Sequence, residues 1–265
     1  MTVDFEDITS SNLISYSMEN NFERINRSLE LLLSLFKSFK VTATFFVVGQ
    51  IAEKYSQLIE KIISDGHHIG SHSYSHSLIY NMKPSEFNQD LGRSIAILES
   101  IIGNKVDSFR APSWSYSKKI NDWYWDILKQ NGVEIDSSIF PTKNFLYGEP
   151  DAPRFINKRD HSIIEVPPST VKYFDKNIPF SGGFYFRLFP YWFVKKSILE
   201  LNNFKQPAVI YIHPWELDSD IERIKDCSIK ARFIMYYNVD KNIKKFEKLL
   251  TDFEFCSIEK YFKGN

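Results

Sequence analysis

Three carboxylates crowd a four-residue stretch near the start of the chain, Asp4, Glu6 and Asp7 in TVDFED. Negative charges that close repel one another unless a cation or an arginine lies among them. Two histidines four apart, His72 and His76 in GSHSYSH, can share one divalent ion if the segment turns back after a strand. With a carboxylate from the first segment they form a His₂-carboxylate set, which leaves coordination positions open for water and substrate. Arg110 can pair with a second acid and keep it ionised, so that it serves as a base. His213, in YIHPWE, ends an apolar run and suits a general acid for a leaving amine. Asp136 closes another strand-like segment. His67 and His68 read as structural.

These groups need a frame that brings them together, and the hydrophobic pattern supplies one. Strand-like segments are expected at 1–5, 41–48, 68–72, 106–110, 133–136, 162–166, 208–213 and 253–258. Helices are expected at 22–39, 51–65, 84–102, 120–130, 191–201 and 241–252. Strands alternating with helices imply parallel pairing and right-handed crossovers. Seven or eight such units imply a closed barrel in one domain over residues 1–265. Each chemical group then falls at or just past the C-terminal end of a strand, the rim where barrels build their sites.

The chain has 33 basic and 33 acidic residues, which argues against a nucleic-acid partner. Aromatics make up 16 %, enough to fill a barrel and to leave some for sugar stacking. The two cysteines, Cys227 and Cys256, lie far apart and form no disulfide framework or ligand pattern. No apolar run approaches the roughly 18 residues of a membrane span. No signal peptide is recognisable, and a cytoplasmic location is the expectation.

Taken in order, TVDFED, GSHSYSH, FRAPSW, VEIDSS and YIHPWE resemble the five motifs of the polysaccharide deacetylase family, carbohydrate esterase 4-like proteins that share the NodB homology domain. SGGFYFRL and HPWELD resemble a subgroup encoded with exopolysaccharide biosynthesis genes. The resemblance implies an α/β fold, a deformed (β/α)7-type barrel holding a Zn²⁺-like ion, with Co²⁺, Mn²⁺ or Ni²⁺ as alternatives. Carried over by residue, Asp4 matches the catalytic base, Arg110 its orienting arginine, His72 and His76 the metal histidines, His213 the general acid and Asp136 its supporting aspartate. Ile212 is expected to wall the acetyl pocket. The first motif departs from the common adjacent pair of aspartates, because Phe5 follows Asp4. Strand alternation favours Glu6 as the metal carboxylate and residue type favours Asp7; the balance is given to Asp7.

The implied reaction is metal-assisted hydrolysis of an N-acetyl group on a sugar or oligosaccharide, with Ser113 N–H at the oxyanion and His213 protonating the amine. Trp114, Gly183, Arg187 and Trp215 are expected at the substrate. Two alternatives stand beside it: hydrolysis of a small cyclic amide or ureide on the same scaffold, and a glycan-binding relative without turnover.

Overall fold

In the helix Phe22–Phe39 (α1), Ile25, Leu29, Leu32 and Phe36 recur at helical spacing and are buried together. Each contributes roughly 1.5–3 kcal/mol by leaving water. The Asn21 side chain accepts from Arg24 N–H at 3.0 Å and starts the helix; Lys40, in the left-handed region, ends it. The computed structural model describes residues 1–14, 20–144, 146–224 and 226–264.

Ten strands are present among the described residues: β1 (Thr2–Phe5), β2 (Thr44–Val47), β3 (His68–Ser71), β4 (Ser108–Phe109), β5 (Ile135–Asp136), β6 (Asn157–Lys158), β7 (Ile164–Glu165), β8 (Thr170–Tyr173), β9 (Lys176–Pro179) and β10 (Tyr211–Ile212). The helices after α1 are α2 (Gly49–Lys54), α3 (Ser56–Ser64), α4 (Pro84–Ile102), α5 (Asn121–Gln130), α6 (Gly183–Leu188), α7 (Tyr191–Asn203), α8 (Ile229–Tyr236), α9 (Val239–Asp252) and α10 (Ile258–Gly264). The main sheet runs β10-β1-β2-β3-β4-β5-β7-β6. Its first seven strands are parallel, and β6 pairs antiparallel at the edge. The fold is a deformed (β/α)7-type barrel.

A fully closed ladder does not form. Between β7 and β10 the seam is bridged by irregular chain: Ser169 N–H donates to Val209 O at 3.2 Å, and Tyr211 N–H to Ser181 O at 3.0 Å. Gly182 forms a single parallel bridge with Tyr211, where a Cβ would come within 2.1 Å of the Tyr211 carbonyl oxygen. Only glycine lets the two backbones approach this closely.

The strand expected at 253–258 is instead extended chain leading into α10. Its polar groups are used at the N-terminal end of the barrel. The Met1 ammonium donates to Cys256 O at 2.7 Å, and Thr44 Oγ1 donates to the Glu259 carboxylate at 2.6 Å. Ile258 packs with Phe46, Ile135, Val166 and Val209, so α10 plugs that end rather than adding a strand. The helix expected at 51–65 breaks at Tyr55 into α2 and α3. The hairpin β8–β9 and helices α6 and α8 were not expected from the pattern.

Candidate metal and catalytic centre

Strand β1 alternates its side chains, so Asp4 and Glu6 emerge on one side of the rim. After β3 the chain turns sharply, with Ser73 and His76 both in the left-handed region (φ 63° and 57°). The turn folds His76 back over His72, ring centroids 5.0 Å apart. Such backbone strain in non-glycine residues is tolerated mainly where function needs the geometry.

Glu6, His72 and His76 each offer a ligand atom, and the three atoms lie within 4.8 Å of one another, all buried. His72 Nδ1 donates to Arg110 O at 2.7 Å, an assigned tautomer that leaves Nε2 for the cluster. His76 Nε2 stands 2.5 Å from Glu6 Oε2 but outside hydrogen-bonding geometry, and its Nδ1 has no partner either. Buried nitrogens with no protein partner beside a carboxylate are what the ligand set of a cation presents. Burial pushes His72 down to about 4, keeping it the neutral imidazole that cations take. Burial works against ionisation of Glu6, but His76, His213 and His72 outweigh it and hold the acid at about 2. The residues fit a divalent cation.

Asp7 is not in this cluster, which corrects the balance given to it. Its Oδ1 accepts from Arg24 Nε at 2.8 Å and its Oδ2 from Arg24 Nη2 at 2.5 Å and Thr9 Oγ1 at 2.9 Å. The carboxylate is consumed as a buried anchor of α1, and the acid facing the histidines is Glu6.

Beside the cluster, Asp4 Oδ1 is 2.5 Å from Arg110 Nη1, and Asp4 Oδ2 faces His213 Nε2 at 3.9 Å. Arg110 is fully buried; it also donates to Thr2 Oγ1 and to Ser137 O and Oγ. His213 directly follows β10, with Nε2 3.6 Å from Glu6 Oε1 and Nδ1 3.0 Å from Glu216 Oε2. Burial alone would neutralise His213, but Glu216, Glu6 and Asp4 raise it to about 9. Glu216 is itself held at about 2 against burial by Arg187 and His213.

Asp136 does not support His213. It sits on β5, four strands from β1 in the sheet order, and faces the helix layer, where it accepts from Tyr124 Oη at 3.2 Å and Ser138 Oγ at 2.5 Å. Burial beside Glu165 raises both acids, Asp136 to about 6. Glu216 fills the place expected of Asp136, and sequence reasoning missed it. The signal was present: Glu216 follows His213-Pro-Trp at capping-box spacing and takes His213 N–H at 3.1 Å.

A cavity of about 380 Å³ opens above these groups. Ser113, Trp114, Gly183 and Trp215 line it as expected positions. Ser113 and Trp114 are consecutive left-handed residues, and Ser113 Oγ accepts from Asn12 Nδ2 at 3.1 Å. Trp215 stacks on His213 (5.5 Å, 25°), and the indole N–H groups of Trp114 and Trp215 are buried without a partner. Arg187 borders the cavity, yet its guanidinium is spent on Glu216 at 2.8 Å, Tyr237 O at 2.6 Å and Ile234 O at 2.8 Å. Its guanidinium thus holds Glu216 in place beside His213. Ile212 points into the core, because Tyr211 on β10 and His213 directly after it occupy the cavity face.

The fold and site define a class: an α/β barrel whose C-terminal rim gathers a Glu-His-His triad able to hold a cation, an arginine-held acid and a glutamate-held histidine. A family model described as polysaccharide deacetylase matches residues 17–135, and one described as a domain of unknown function (DUF3473) matches 137–263. Over residues 17–135, a little under half of its length, the chain is similar to the polysaccharide deacetylase family. It is 29 % identical over 140 residues to a peptidoglycan deacetylase of Helicobacter pylori, a match covering 50 % of this chain and 46 % of that relative. The matched part thus spans less than half of the relative's length. Among solved structures, a putative polysaccharide deacetylase from Mycobacterium smegmatis superposes with TM-score 0.55 at 19 % identity, over 89 % of this chain and 76 % of that one. PuuE allantoinase superposes with TM-score 0.60 at 13 % identity, over 97 % and 84 %. Both likenesses concern the fold. No helix among the described residues is long and apolar enough to cross a membrane.

Proposed function

We propose that this protein is a metal-dependent N-deacetylase acting on amino sugars of a glycan or glycan precursor. The observation that carries the reading is the convergence of Asp4 and His213 on the Glu6, His72 and His76 cluster from separate strand ends. Glu6, His72 and His76 would hold the cation, with Zn²⁺ first among the candidates. When bound, such an ion polarises the amide carbonyl and brings the pKa of water toward about 7.

The chain's own groups account for the proton transfers. Arg110 fixes one oxygen of Asp4, and the other oxygen receives the proton of the attacking water. The Ser113 N–H, at the cavity edge, serves the oxyanion. His213, charged through Glu216, gives its proton to the departing nitrogen, because an amide does not leave as an anion. Acetate and a free amine result. Trp114 and Trp215 offer ring faces and unpaired N–H donors to the sugar. The resemblance of SGGFYFRL and HPWELD makes an exopolysaccharide unit the first substrate to try.

The test is acetate release from N-acetylglucosamine oligomers and N-acetyl sugar nucleotides, with added Zn²⁺ or with chelator. The expected result is release by the wild type that chelator and Asp4→Asn each abolish. A metal-loaded wild type that binds the oligomers without releasing acetate would establish a glycan-binding protein instead.

A further inference from the structure

Helix α9 carries Lys241, Lys244, Lys245 and Lys248 at positions i, i+3, i+4 and i+7, a single helical face. That face lines a groove of about 640 Å³ whose other wall is the chain from Arg187 to Tyr191. Lys245 is spent on structure: its ammonium donates to Phe186 O and Phe189 O and pins the end of α6. Lys241, Lys244 and Lys248 are exposed and make no ion pair among the described residues. The neighbouring Asp252 is already engaged by Lys195 at 2.9 Å and Tyr191 Oη at 2.6 Å.

This arrangement does not serve the helix. Like charges at i, i+4 (Lys241 with Lys245, Lys244 with Lys248) work against the helix, and Lys241 sits in the first turn, where the helix dipole disfavours cations. In a chain of zero formal net charge, such a local concentration of positive charge is a feature of placement. It also lies close to the candidate active site. Arg187 borders both the cavity and the groove. Between them runs an aromatic ridge: Phe184, at the cavity, lies 5.6 Å from Phe233 and 6.3 Å from Tyr237, and Phe233 is half exposed. The next residue, Asn238, lines the groove.

We propose that the protein takes an anionic glycan, with the N-acetylated sugar in the cavity, its neighbour against the Phe184–Phe233–Tyr237 ridge, and carboxylate or phosphate groups of further units in the Lys241/Lys244/Lys248 groove. Aromatic faces stack on sugar rings, and lysines meet the charge that follows them. The acetyl end of this placement rests on the deacetylase reading, whereas binding in the groove is measurable without turnover.

The experiment is calorimetric binding to the metal-loaded chain of two six-sugar probes, a hyaluronan hexasaccharide (alternating N-acetyl and carboxylate sugars) and neutral chitohexaose, at low and high ionic strength. A poly(glycerol phosphate) oligomer separates phosphate from carboxylate as the preferred anion. Expected is about tenfold tighter binding of an anionic probe, lost at high salt. The Lys241→Gln/Lys244→Gln/Lys248→Gln variant should lose that advantage while binding chitohexaose as before, and the corresponding arginine variant should keep it. Equal affinity for charged and neutral probes, or an advantage that survives the glutamine variant, would overturn the proposal. Lysine-dependent anion binding without acetate release would retain it and remove the deacetylase reading alone.

Discussion

Glu216 joins His213 to Arg187: one oxygen lies 3.0 Å from His213 Nδ1 and the other accepts from Arg187 Nε at 2.8 Å. Arg187 is in turn fixed by the carbonyls of Ile234 and Tyr237. Every member of this line lies in the region matched by the domain of unknown function, so that region brings its own support for the histidine on the rim.

Glu216→Gln should keep the fold and lower kcat by about two orders of magnitude, the low end of what a positioned acid contributes, with little change in KM. Arg187→Ala strands a buried carboxylate and should cost about 3–5 kcal/mol of stability. The double variant Glu216→Gln/Arg187→Met should regain part of the lost melting temperature but not the activity. Thermal melts and steady-state kinetics on the three variants check this; recovered activity in the double variant would argue against positioning.

The metal carboxylate can be assigned by metal content. Glu6→Gln and His76→Ala should each lose the ion, whereas Asp7→Asn should retain it and melt lower, because Arg24 is left without its buried partner. Saturating Zn²⁺ should stabilise the wild type by about 2.7 kcal/mol at a hundredfold excess over Kd. An Asp7→Asn protein that binds no ion would return the ligand role to Asp7.

The Asp136–Glu165 pair makes a pH signature. Burial raises both acids in the folded state, Asp136 from 3.8 to about 6. A raised folded value means that the pair's contribution is fully present below about pH 4 and is lost as pH rises through about 6. Stability of the wild type relative to Asp136→Asn should therefore fall between those values. Taking the difference cancels the opposite, low-pH slope of Glu6 and Glu216. Urea denaturation across that range checks it, and a flat difference would show that the pair ionises without cost.

Gly182 holds the seam between β7 and β10. Gly182→Ala sets a methyl against the Tyr211 carbonyl, and overpacking of this kind costs about 1–3 kcal/mol or more. The variant should melt lower and, because His213 directly follows β10, where Tyr211 sits, show a reduced kcat. Unchanged melting would mean the seam relaxes freely.

Much of the frame was readable from residue pattern alone. The alternation of β-branched runs with amphipathic helices located all seven parallel strands within a few residues, β7 falling inside the expected 162–166 segment. Their C-terminal ends carried the polar groups, since a strand's period places its last residues at the rim. The 253–258 segment was misread because a short apolar run looks alike whether it joins a ladder or leads into a plug. There the outcome was decided by Thr44 and Ser108, which receive Glu259 from across the barrel.

The sequence by itself determined the alternating parallel architecture, the placement of Asp4, His72, His76, Arg110 and His213 at strand ends, and a motif order that resembles the polysaccharide deacetylases. Those features are local: periodicity and spacing are properties of neighbouring residues. Only the tertiary structure decided which acid meets the histidines and which supports His213. Both choices depended on distant partners competing for the same carboxylates. Arg24 on α1 claims Asp7 and leaves Glu6 to the cluster; Tyr124 and Ser138 claim Asp136 and leave His213 to Glu216. A buried carboxylate goes where its charge and hydrogen bonds are satisfied, and that is settled by the elements packing around it.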